Sequence, residues 1–439
     1  MEAVKSDLIV IGAGPGGYEI AVEAARDGKS VTLIERDKPG GTCLNRGCIP
    51  TKALLRSAEV ASMIGEASSF GVNVGSVMLD YAAAVARKDE VVAQLRAGVS
   101  QLLQGVNVVA GEAVFTGPDT VEVSGTVYQA DNIVIATGSA PARLNVPGAE
   151  MTMTSDDILA MTELPGSLVI IGGGVIGVEL ACIMNAFGVK VTIVEYCKEI
   201  LPAFDRDVAK RLRQSLTRRG IKIVTSAAVA EILPGYTVGY DSKGARQSID
   251  ADAVLMAVGR RPVYPDGLDK AGVETGPKGI VTDDRFRTTS AGIYAIGDVN
   301  GRCQLAHVAV AQGRVALADM CGRKSPVRLD VIPAAVFSSP EVAMVGCTEE
   351  SLAGEKYAVA KSFFRSNGKA VAMGEADGIV KMIYEPESLR ILGAHILGAH
   401  ASDLIQEVAM AMTAGATLAD LKNTVHGHPT LGEAVASVV

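Results

Sequence analysis

Residues 7–17, DLIVIGAGPGG, carry an apolar strand directly into a glycine-rich turn. The turn has GxGxxG spacing, formed by Gly12, Gly14 and Gly17. The residues that follow predict a helix that stops at Gly28. The next predicted strand, SVTLIE, ends at Glu35, 23 residues after the first glycine of the turn. Glycines allow a backbone to approach a pyrophosphate at a helix N-terminus, and the acid can bind ribose hydroxyls. This stretch therefore predicts a dinucleotide site.

The same unit recurs later in the chain, at LVIIGGGVIG, residues 168–177. Its turn glycines are Gly172, Gly174 and Gly177. The strand KVTIVE then ends at Glu195, again 23 residues after the first turn glycine. Two Rossmann-type units predict two dinucleotides and electron transfer between them. A carboxylate at Glu195 suits a free 2′-hydroxyl and repels the additional phosphate of NADP, so we expect NAD.

Two of the seven cysteines, Cys43 and Cys48, stand five positions apart in GGTCLNRGCIPTK, residues 40–52. On a regular α-helix the Cα atoms at this separation lie roughly 8–9 Å apart, whereas a disulfide spans about 4.4–6.8 Å. Gly47 is a weak helix residue and Pro50 lacks an amide, so the sequence favours a bent helix here. A distorted turn could bring the sulfurs together, for catalysis or for a metal.

The overall composition is that of a globular enzyme with about three domains, since the chain has 439 residues, 48% of them hydrophobic and 21% charged. A net charge of −8 without a basic stripe argues against nucleic acid as a partner. The most apolar window, residues 168–186, contains three consecutive glycines and Glu179, so it predicts a buried strand and turn and no membrane span. The N-terminus lacks a signal-peptide pattern, and we expect a cytoplasmic protein.

Three further apolar strands run into glycine turns. IVIATGSAP at 133–141 and LMAVGRRP at 255–262 are each expected to return the chain past its nucleotide. IYAIGDV places Asp298 after another buried strand, where a carboxylate could bind a polar ligand. The alternative for Asp298 is a turn-forming residue after glycine.

Two dinucleotide units, a CxxxxC pair and the C-terminal HGHPTLGE together resemble the flavin-dependent pyridine nucleotide-disulfide oxidoreductases. The likeness covers essentially the whole chain. It implies an α/β fold with two Rossmann-like dinucleotide-binding domains plus an α+β C-terminal dimerisation domain. It also implies a metal-free homodimeric enzyme that uses FAD and NAD to oxidise dihydrolipoyl groups. The substrate would be the lipoylated protein of a 2-oxo acid dehydrogenase or glycine cleavage complex.

The resemblance implies two sets of cofactor-binding residues. The FAD set is Gly12, Gly14, Gly17, Glu35, Lys52, Gly111, Thr137, Gly138, Ser139, Asp298, Gln304, Leu305, Ala306 and His307. The NAD set is Gly172, Gly173, Gly174, Val175, Ile176, Gly177, Val178, Glu179, Glu195, Val229 and Gly259. Glu179 would pair with Lys52 beneath the nicotinamide.

The family pattern also implies catalytic roles. Cys43 would exchange with the substrate and Cys48 would donate to the flavin, with a thiolate as the attacking species. Lys52 lies four residues past Cys48, and its charge would favour a reduced, anionic flavin. His428 would act as the base for the other subunit's disulfide, oriented by Glu433. Without the resemblance, two alternatives remain open. Lys52 could be an ordinary surface lysine, and His428 could be a turn histidine that precedes a proline.

Particular residues argue against other classes of protein. Glu195 argues against NADP-linked glutathione reductases, and the lack of any cysteine after Cys347 argues against mercuric and large thioredoxin reductases. A soluble transhydrogenase would lack the full cysteine pair. A binding protein could use the pair as a zinc site or clasp, but no second Cys or His pair lies nearby at ligand spacing. Gly432 departs from the serine that the family often has.

We expect four domains along the chain. They are an FAD-binding domain (1–144), an NAD-binding domain (145–263), a central domain completing the FAD site (264–327) and a dimerisation domain (328–439). In the last of these, His426 is expected to flank the active site, whereas His395 and His400 are expected to pack at an interface.

Overall fold

The computed structural model describes residues 3–438. Its strands are β1 Val4–Ile11, β2 Val31–Glu35, β3 Asn107–Ala110, β4 Val114–Phe115, β5 Thr120–Val123, β6 Thr126–Ile135, β7 Ser139–Pro141, β8 Ser167–Ile171, β9 Lys190–Val194, β10 Lys222–Val224, β11 Ala227–Leu233, β12 Thr237–Ser242, β13 Ala245–Asp250, β14 Ala253–Met256, β15 Arg260–Pro262, β16 Ile293–Ala295, β17 Pro333–Val336, β18 Val342–Gly346, β19 Ala358–Phe363, β20 Ile379–Tyr384 and β21 Ile391–Leu397. Its α-helices are α1 Pro15–Arg26, α2 Gly41–Arg46, α3 Cys48–Glu66, α4 Tyr81–Leu102, α5 Ser155–Ala160, α6 Val175–Ala186, α7 Arg206–Arg218, α8 Ala306–Met320, α9 Gly368–Ala372, α10 Ala401–Ala414, α11 Leu418–Asn423 and α12 Glu433–Ala436.

The first of two compact units is built from three separate segments, residues up to 53, 83–142 and 259–329. Its seven-stranded sheet has the order β3-β2-β1-β6-β5-β4, with β16 also paired to β6. The strands β3, β2, β1, β6 and β16 run parallel, whereas β5 pairs antiparallel with both β6 and β4. The last four residues of β1, the last three of β6, and the strands β2 and β16 are largely apolar and buried because hydrophobic clusters cover both of their faces, whereas β3 at the edge of the sheet is largely exposed.

Helices α1 and α8 pack closely in this unit because small residues face each other. A Cβ added to Gly16 of α1 would lie 3.0 Å from the Cβ of Ala309 on α8. Gly313 of α8 is less confined, since its added Cβ would lie 3.4 Å from the Ile20 side chain, at about van der Waals contact. This contact fixes α8 and the segment before it beside the first glycine-rich turn.

The second unit comprises residues 54–82, 143–258 and 330–439. It contains a parallel sheet, β10-β9-β8-β14, and a three-stranded antiparallel sheet, β11-β12-β13. A five-stranded antiparallel sheet, β17-β18-β21-β20-β19, follows in the C-terminal segment, where α10, α11 and α12 contribute to its apolar core.

A buried ion cluster links α7 to the C-terminal sheet of the second unit. The Lys381 ammonium on β20 donates to both carboxylate oxygens of Asp205, at 2.9 and 2.8 Å, and to Asp207 at 3.2 Å. Glu349 also pairs with Lys381. Asp205 caps α7 by accepting the Asp207 amide at 3.0 Å. Lys381 and Asp205 are almost fully buried, so removing either partner leaves an unpaired charge in the interior.

The predicted fold class is confirmed, with strand, glycine turn, helix and strand following one another in both dinucleotide units. The two apolar strands predicted to enter glycine turns are the end of β6 and β14, and the short strands that follow those turns, β7 and β15, pair with each other. The four domain boundaries remain a prediction, although residues 264–327 fall in the same unit as the first dinucleotide turn, as expected for a region that completes its site. None of the described helices is both long and apolar enough to cross a bilayer.

Candidate active site

The two cysteines lie on either side of a break between α2 and α3. Cys43 is in α2 and Cys48 is the first residue of α3, whereas Gly47 between them has φ −142° and ψ −112°, outside the helical range. The predicted distortion is therefore present, and Gly47 is where it occurs. Pro50 does not contribute to it, because it lies in the first turn of α3, where amides have no intrahelical acceptor.

The break brings the two sulfurs into contact. The Cys43 thiol is hydrogen bonded with the side chain and the backbone amide of Cys48, and no disulfide joins them. The side-chain hydrogen bond and burial raise the pKa of Cys43, while the charge of Lys52 acts to lower it. Lys52 therefore lies within electrostatic range of the pair, and it follows Cys48 by one turn of α3, as the spacing predicts.

The first glycine-rich turn has the close approaches that its spacing predicts. Gly12 has φ +101°, and a Cβ there would lie 2.5 Å from the carbonyl oxygen of Ala136. A Cβ at Gly17 would lie 1.8 Å from the carbonyl oxygen of Gly12, so the helix can pack this tightly only with glycine. The Glu35 carboxylate accepts the Ala13 amide at 2.7 Å and a further amide at 2.8 Å, which fixes it at the end of β2.

The second turn repeats this geometry almost contact for contact. Gly172 has φ +105°, and its added Cβ would lie 2.4 Å from the carbonyl oxygen of Ala257. A Cβ at Gly177 would lie 2.1 Å from the carbonyl oxygen of Gly172. The Glu195 carboxylate, just after β9, accepts the Gly173 amide at 2.6 Å and a further amide at 2.6 Å. Both carboxylates are thus oriented by backbone amides of their own unit.

The middle glycine of each turn differs from the other two glycines, because no steric contact requires a glycine at its position. Gly14 and Gly174 are the N-caps of α1 and α6, and an added Cβ at either would meet no atom within 4 Å. Each turn therefore leaves a helix N-terminus open to a phosphate, which fits a dinucleotide. Gly111 donates its amide to the carbonyl oxygen of Glu35 at 2.9 Å, at the end of the first nucleotide strand.

A polar chain crosses the first unit at the ends of three strands. The Arg260 Nε donates to the Ser139 hydroxyl at 2.7 Å, and its Nη2 donates to the Ser139 carbonyl at 2.6 Å. The Ser139 hydroxyl in turn donates to Asp298 at 2.5 Å. Arg260 and Asp298 are 3.9 Å apart, so the guanidinium also neutralises this carboxylate. Asp298 is therefore part of an oriented network, beyond the simple turn role left open by the sequence.

The other expected flavin-site residues of this unit are Thr137, Gly138, Gln304, Leu305, Ala306 and His307. Thr137 donates its hydroxyl to the carbonyl oxygen of Val263 at 2.6 Å. Gln304 donates to the carbonyl oxygen of Arg260 at 3.3 Å. Leu305 is the N-cap of α8, whose start has no side-chain cap. Arg260 thus connects the segments around residues 139, 298 and 304.

The expected NAD-site residues occupy both units. Val175, Ile176, Val178 and Glu179 lie on the first turns of α6. The buried Glu179 carboxylate accepts the Phe337 amide at 3.0 Å, and its pairing with Lys52 remains a prediction. Val229 lies at an irregularity in β11. Gly259, with φ +112°, belongs to the first unit, immediately before β15.

The C-terminal motif forms the expected imidazole–carboxylate pair. His428 Nδ1 lies 2.9 Å from Glu433 Oε1, and the Thr430 amide donates to Glu433 Oε2 at 2.9 Å. The interaction with His428 and the Thr430 amide lower the pKa of Glu433. The His428 side chain is 80% exposed, so it can reach a second molecule. Asn367 fixes the loop by donating to the Thr430 carbonyl at 2.9 Å.

Two other histidines, His395 and His400, lie apart from this pair. His395 is buried in β21 and its Nε2 lies 2.8 Å from the carbonyl oxygen of Cys347. Burial lowers the pKa of His395. His400 is the exposed N-cap of α10. Their packing against a second subunit remains a prediction.

Sequence reasoning missed several supporting residues because their contacts are long-range. Arg260 could have been noticed from the GRRP stretch, but nothing local indicates its partner Ser139. Gln312 on α8 is buried and accepts the Gly297 amide at 2.7 Å and Asn300 Nδ2 at 2.8 Å, which fixes the turn around Asp298. Across residues 3–438, no three His, Cys, Asp or Glu side chains cluster as a metal site.

Comparisons with known proteins agree with this architecture. A family model described as pyridine nucleotide-disulphide oxidoreductase matches residues 6–313, and the dimerisation domain of the same family matches 332–439. Dihydrolipoyl dehydrogenase of Geobacillus stearothermophilus is 40% identical over 445 residues, covering 98% of this chain and 95% of the relative. That of Chlorobaculum tepidum is 42% identical over 454 residues, covering 99% and 96%. The HOCl-induced flavoprotein disulfide reductase RclA from Escherichia coli has a TM-score of 0.87 at 31% identity, covering 98% and 99%.

Two dinucleotide units with a contacting cysteine pair define an oxidoreductase that moves electrons between nucleotides and thiols. Its cofactors are FAD and NAD, and the C-terminal domain is of a dimerisation type. The chain belongs to the pyridine nucleotide-disulphide oxidoreductase family.

Proposed function

We propose that this protein is an NAD-dependent dihydrolipoyl dehydrogenase, which oxidises protein-bound dihydrolipoamide to lipoamide. The observation that carries the proposal is the helix break at Gly47, which puts Cys43 in hydrogen-bond contact with Cys48. Relatives that are 40–42% identical over nearly the full chain bear the name dihydrolipoyl dehydrogenase. FAD, when bound, takes an electron pair from the protein dithiol and passes it to NAD⁺.

The cysteine pair performs thiol–disulfide exchange with the substrate. In the oxidised enzyme, one substrate thiolate attacks Cys43 of the Cys43–Cys48 disulfide, and Cys48 leaves as a thiolate. The second substrate sulfur then displaces Cys43, which releases the cyclic lipoyl disulfide and leaves two reduced protein sulfurs. Lys52 favours the anionic form of these sulfurs because its charge opposes the factors that raise the pKa of Cys43.

His428 accepts the proton that the substrate dithiol must lose. Glu433 orients the ring through its contact with Nδ1, which leaves Nε2 directed away from this partner and available to a thiol. The 80% exposure of the His428 side chain suits a base that serves the disulfide of a second subunit. The enzyme therefore acts as a homodimer in which each active site combines residues of both chains.

Each cofactor has its own set of residues in this proposal. Gly12, Gly14 and Gly17 accommodate the FAD pyrophosphate, Glu35 binds the ribose, and Asp298 binds the ribitol hydroxyls within the Arg260–Ser139 network. The corresponding NAD groups are held at the turn from Gly172 to Gly177 and by Glu195. Glu179 would pair with Lys52 beneath the nicotinamide.

The partner is the lipoylated protein of a 2-oxo acid dehydrogenase or glycine cleavage complex, and the compartment is the cytoplasm. The net charge of −8 gives no basis for binding nucleic acid. No metal takes part in the proposed steps, which need only thiols, a base and the two nucleotides.

Anaerobic titration of the FAD-containing protein with dihydrolipoamide, followed by NAD⁺, tests the proposal. We expect a long-wavelength thiolate-to-flavin absorption band and then NADH. A protein that retains FAD but gives neither signal is not a dihydrolipoyl dehydrogenase.

Replacement of one cysteine separates the roles of the pair. Cys43→Ser should retain FAD and lose turnover by at least about three orders of magnitude, because the attacked sulfur is missing. Cys321→Ser, which removes a thiol at the end of α8, is the matched control and should remain active. Full activity in Cys43→Ser would remove this residue from the mechanism.

A further inference from the structure

The C-terminal loop contains a second imidazole that the proposed chemistry does not use. His426 lies two residues before His428, and its side chain is only 12% exposed. Its Nδ1 is 2.9 Å from the carbonyl oxygen of Thr424, and its Nε2 is 2.7 Å from Oε1 of Glu407 on α10. Both ring nitrogens therefore face oxygen atoms at hydrogen-bond distance.

These two contacts determine the charge of the His426 ring. A backbone carbonyl only accepts hydrogen bonds, and an ionised carboxylate does the same. Each ring nitrogen must therefore carry a proton, which makes the ring an imidazolium paired with Glu407. Burial acts against this state, but the hydrogen bonds to Glu407 and Thr424 outweigh it and raise the pKa of His426.

The cation lies next to the pair that acts on the substrate. The charged groups that interact with His426 come from two elements, Glu407 on α10 and Glu433 on α12. The charges of both His426 and His428 lower the pKa of Glu433, so one carboxylate interacts with two imidazoles. A Cβ at Gly432 would lie 3.2 Å from His426 Cδ2, so the absence of a side chain there allows the ring to lie this close.

We propose that His426, held as a cation by Glu407, is a positioning residue that limits proton uptake by the His428–Glu433 pair. This inference rests on the proposed function, in which His428 must be unprotonated to accept a proton from the dithiol. A neighbouring positive charge disfavours protonation of His428, and it also offsets part of the negative charge of Glu433. His426 therefore extends the active range of the base toward lower pH.

The test is the pH profile of kcat/KM for dihydrolipoamide in FAD-loaded dimers. His426→Gln removes the cation, so the acidic limb should move to higher pH by on the order of half a pH unit, as for a partly exposed charge pair. Glu407→Gln should shift the acidic limb in the same direction but by less. Without Glu407 the His426 ring releases its proton, but a negative charge is lost as well, and the two changes partly cancel. His426→Lys retains a cation and should keep the limb near its wild-type position.

A purely structural role predicts a different outcome. His426→Gln and His426→Lys would then lower kcat at every pH without moving the limb, and this result would overturn the inference. Glu387→Gln, which removes an exposed carboxylate paired with Lys356, is the control for a general charge effect. If wild-type protein does not oxidise dihydrolipoamide, the proposed function fails; an active wild type with unshifted variants rejects only the role of His426.

A measurement without turnover checks the protonation state directly. The chain has five histidines, so selective ¹⁵N labelling of histidine gives few ring signals, and His426→Gln identifies the one of interest. We expect both nitrogens of His426 to remain protonated through neutral pH. A His426 ring that is neutral at pH 7 would contradict the assigned charge state.

Discussion

Arg260 binds Ser139 through two hydrogen bonds, one to the hydroxyl at 2.7 Å and one to the carbonyl oxygen at 2.6 Å. Since Ser139 donates to Asp298, loss of the guanidinium should disorder two residues that we expect to contact FAD. Arg260→Met should weaken FAD binding by about tenfold or more, the scale of a hydrogen bond to a charged group. Arg260→Lys should restore little of the FAD affinity, because one ammonium group cannot reproduce the two hydrogen bonds that the guanidinium donates to Ser139.

Arg261→Met, at an exposed neighbour, is the control. Flavin fluorescence after dilution measures the release, and equal retention in all variants would contradict the assignment.

The conformation of Gly47 should control whether Cys43 and Cys48 can join. A Cβ at Gly47 would lie 2.9 Å from the carbonyl oxygen of Thr42, and alanine favours a continuous helix across the break. Gly47→Ala should therefore slow disulfide formation, which differential alkylation and mass spectrometry can follow. Gly65→Ala, on the same α3, meets no atom within 4 Å and should leave the rate unchanged while stabilising the protein by up to about 1 kcal/mol. Equal oxidation rates in both variants would show that the break is not needed.

Glu35 and Glu195, whose carboxylates each accept hydrogen bonds from backbone amides, should affect the binding of different cofactors. Glu195→Ala should raise the ratio of NADP⁺ to NAD⁺ kcat/KM by about tenfold or more, because it removes a negative charge from the place of the 2′-phosphate. The protein should retain its flavin. Glu35→Ala, the same change in the first unit, should release flavin without altering this ratio. The prediction is wrong if Glu35→Ala changes nicotinamide choice and Glu195→Ala does not.

Acid stability should depend on the ion cluster at α7. A hydrogen bond from Lys361 lowers the pKa of Asp207 to about 2 from 3.8, against partial burial and with help from the charge of Lys381. A carboxyl whose pKa is depressed on folding stabilises the protein above about pH 4 and loses that contribution as the pH falls toward 2. The Asp207 side chain is 48% exposed, so screening limits the effect to about 1 kcal/mol.

Urea unfolding between pH 2 and 6 can test this dependence. Lys361→Met should reduce stability at pH 6 more than at pH 2. Lys369→Met, on the exposed side of α9, should change the free energy of unfolding by the same amount at pH 6 and at pH 2. A pH-independent loss in Lys361→Met would exclude the Asp207 contact as its cause.

Much of this site could be predicted because its determinants are local. The spacing of Gly12 and Gly17 encodes a turn that only glycine can form, and the acid at the end of the next strand follows from strand and helix length. The His428–Glu433 contact is local as well, since only five residues separate the two. In each case the geometry depends on a short backbone segment, which the sequence specifies directly.

The supporting contacts could not be predicted, because they join residues that are distant in the chain. Arg260 is 121 residues from Ser139, and Lys381 is 176 residues from Asp205. A lysine in the apolar strand of residues 379–384 contradicts the usual burial preference until its carboxylate partners are known. The break at Gly47 was predicted only in part, because Pro50, which also suggested it, lies in the first turn of α3 and does not distort that helix.

The first unit has a consequence for synthesis of the protein, because its last segment, residues 259–329, follows the second glycine-rich turn and its strands in the chain. Asp298 emerges from the ribosome 159 residues after its partner Ser139, and α8 emerges later still. The nascent chain can therefore contain the whole second glycine-rich turn while Ser139 of the first unit still lacks its partner Asp298. In the proposed function, flavin loading therefore waits until translation has passed α8, and a chain terminated before that point has the second glycine-rich turn without a complete flavin site.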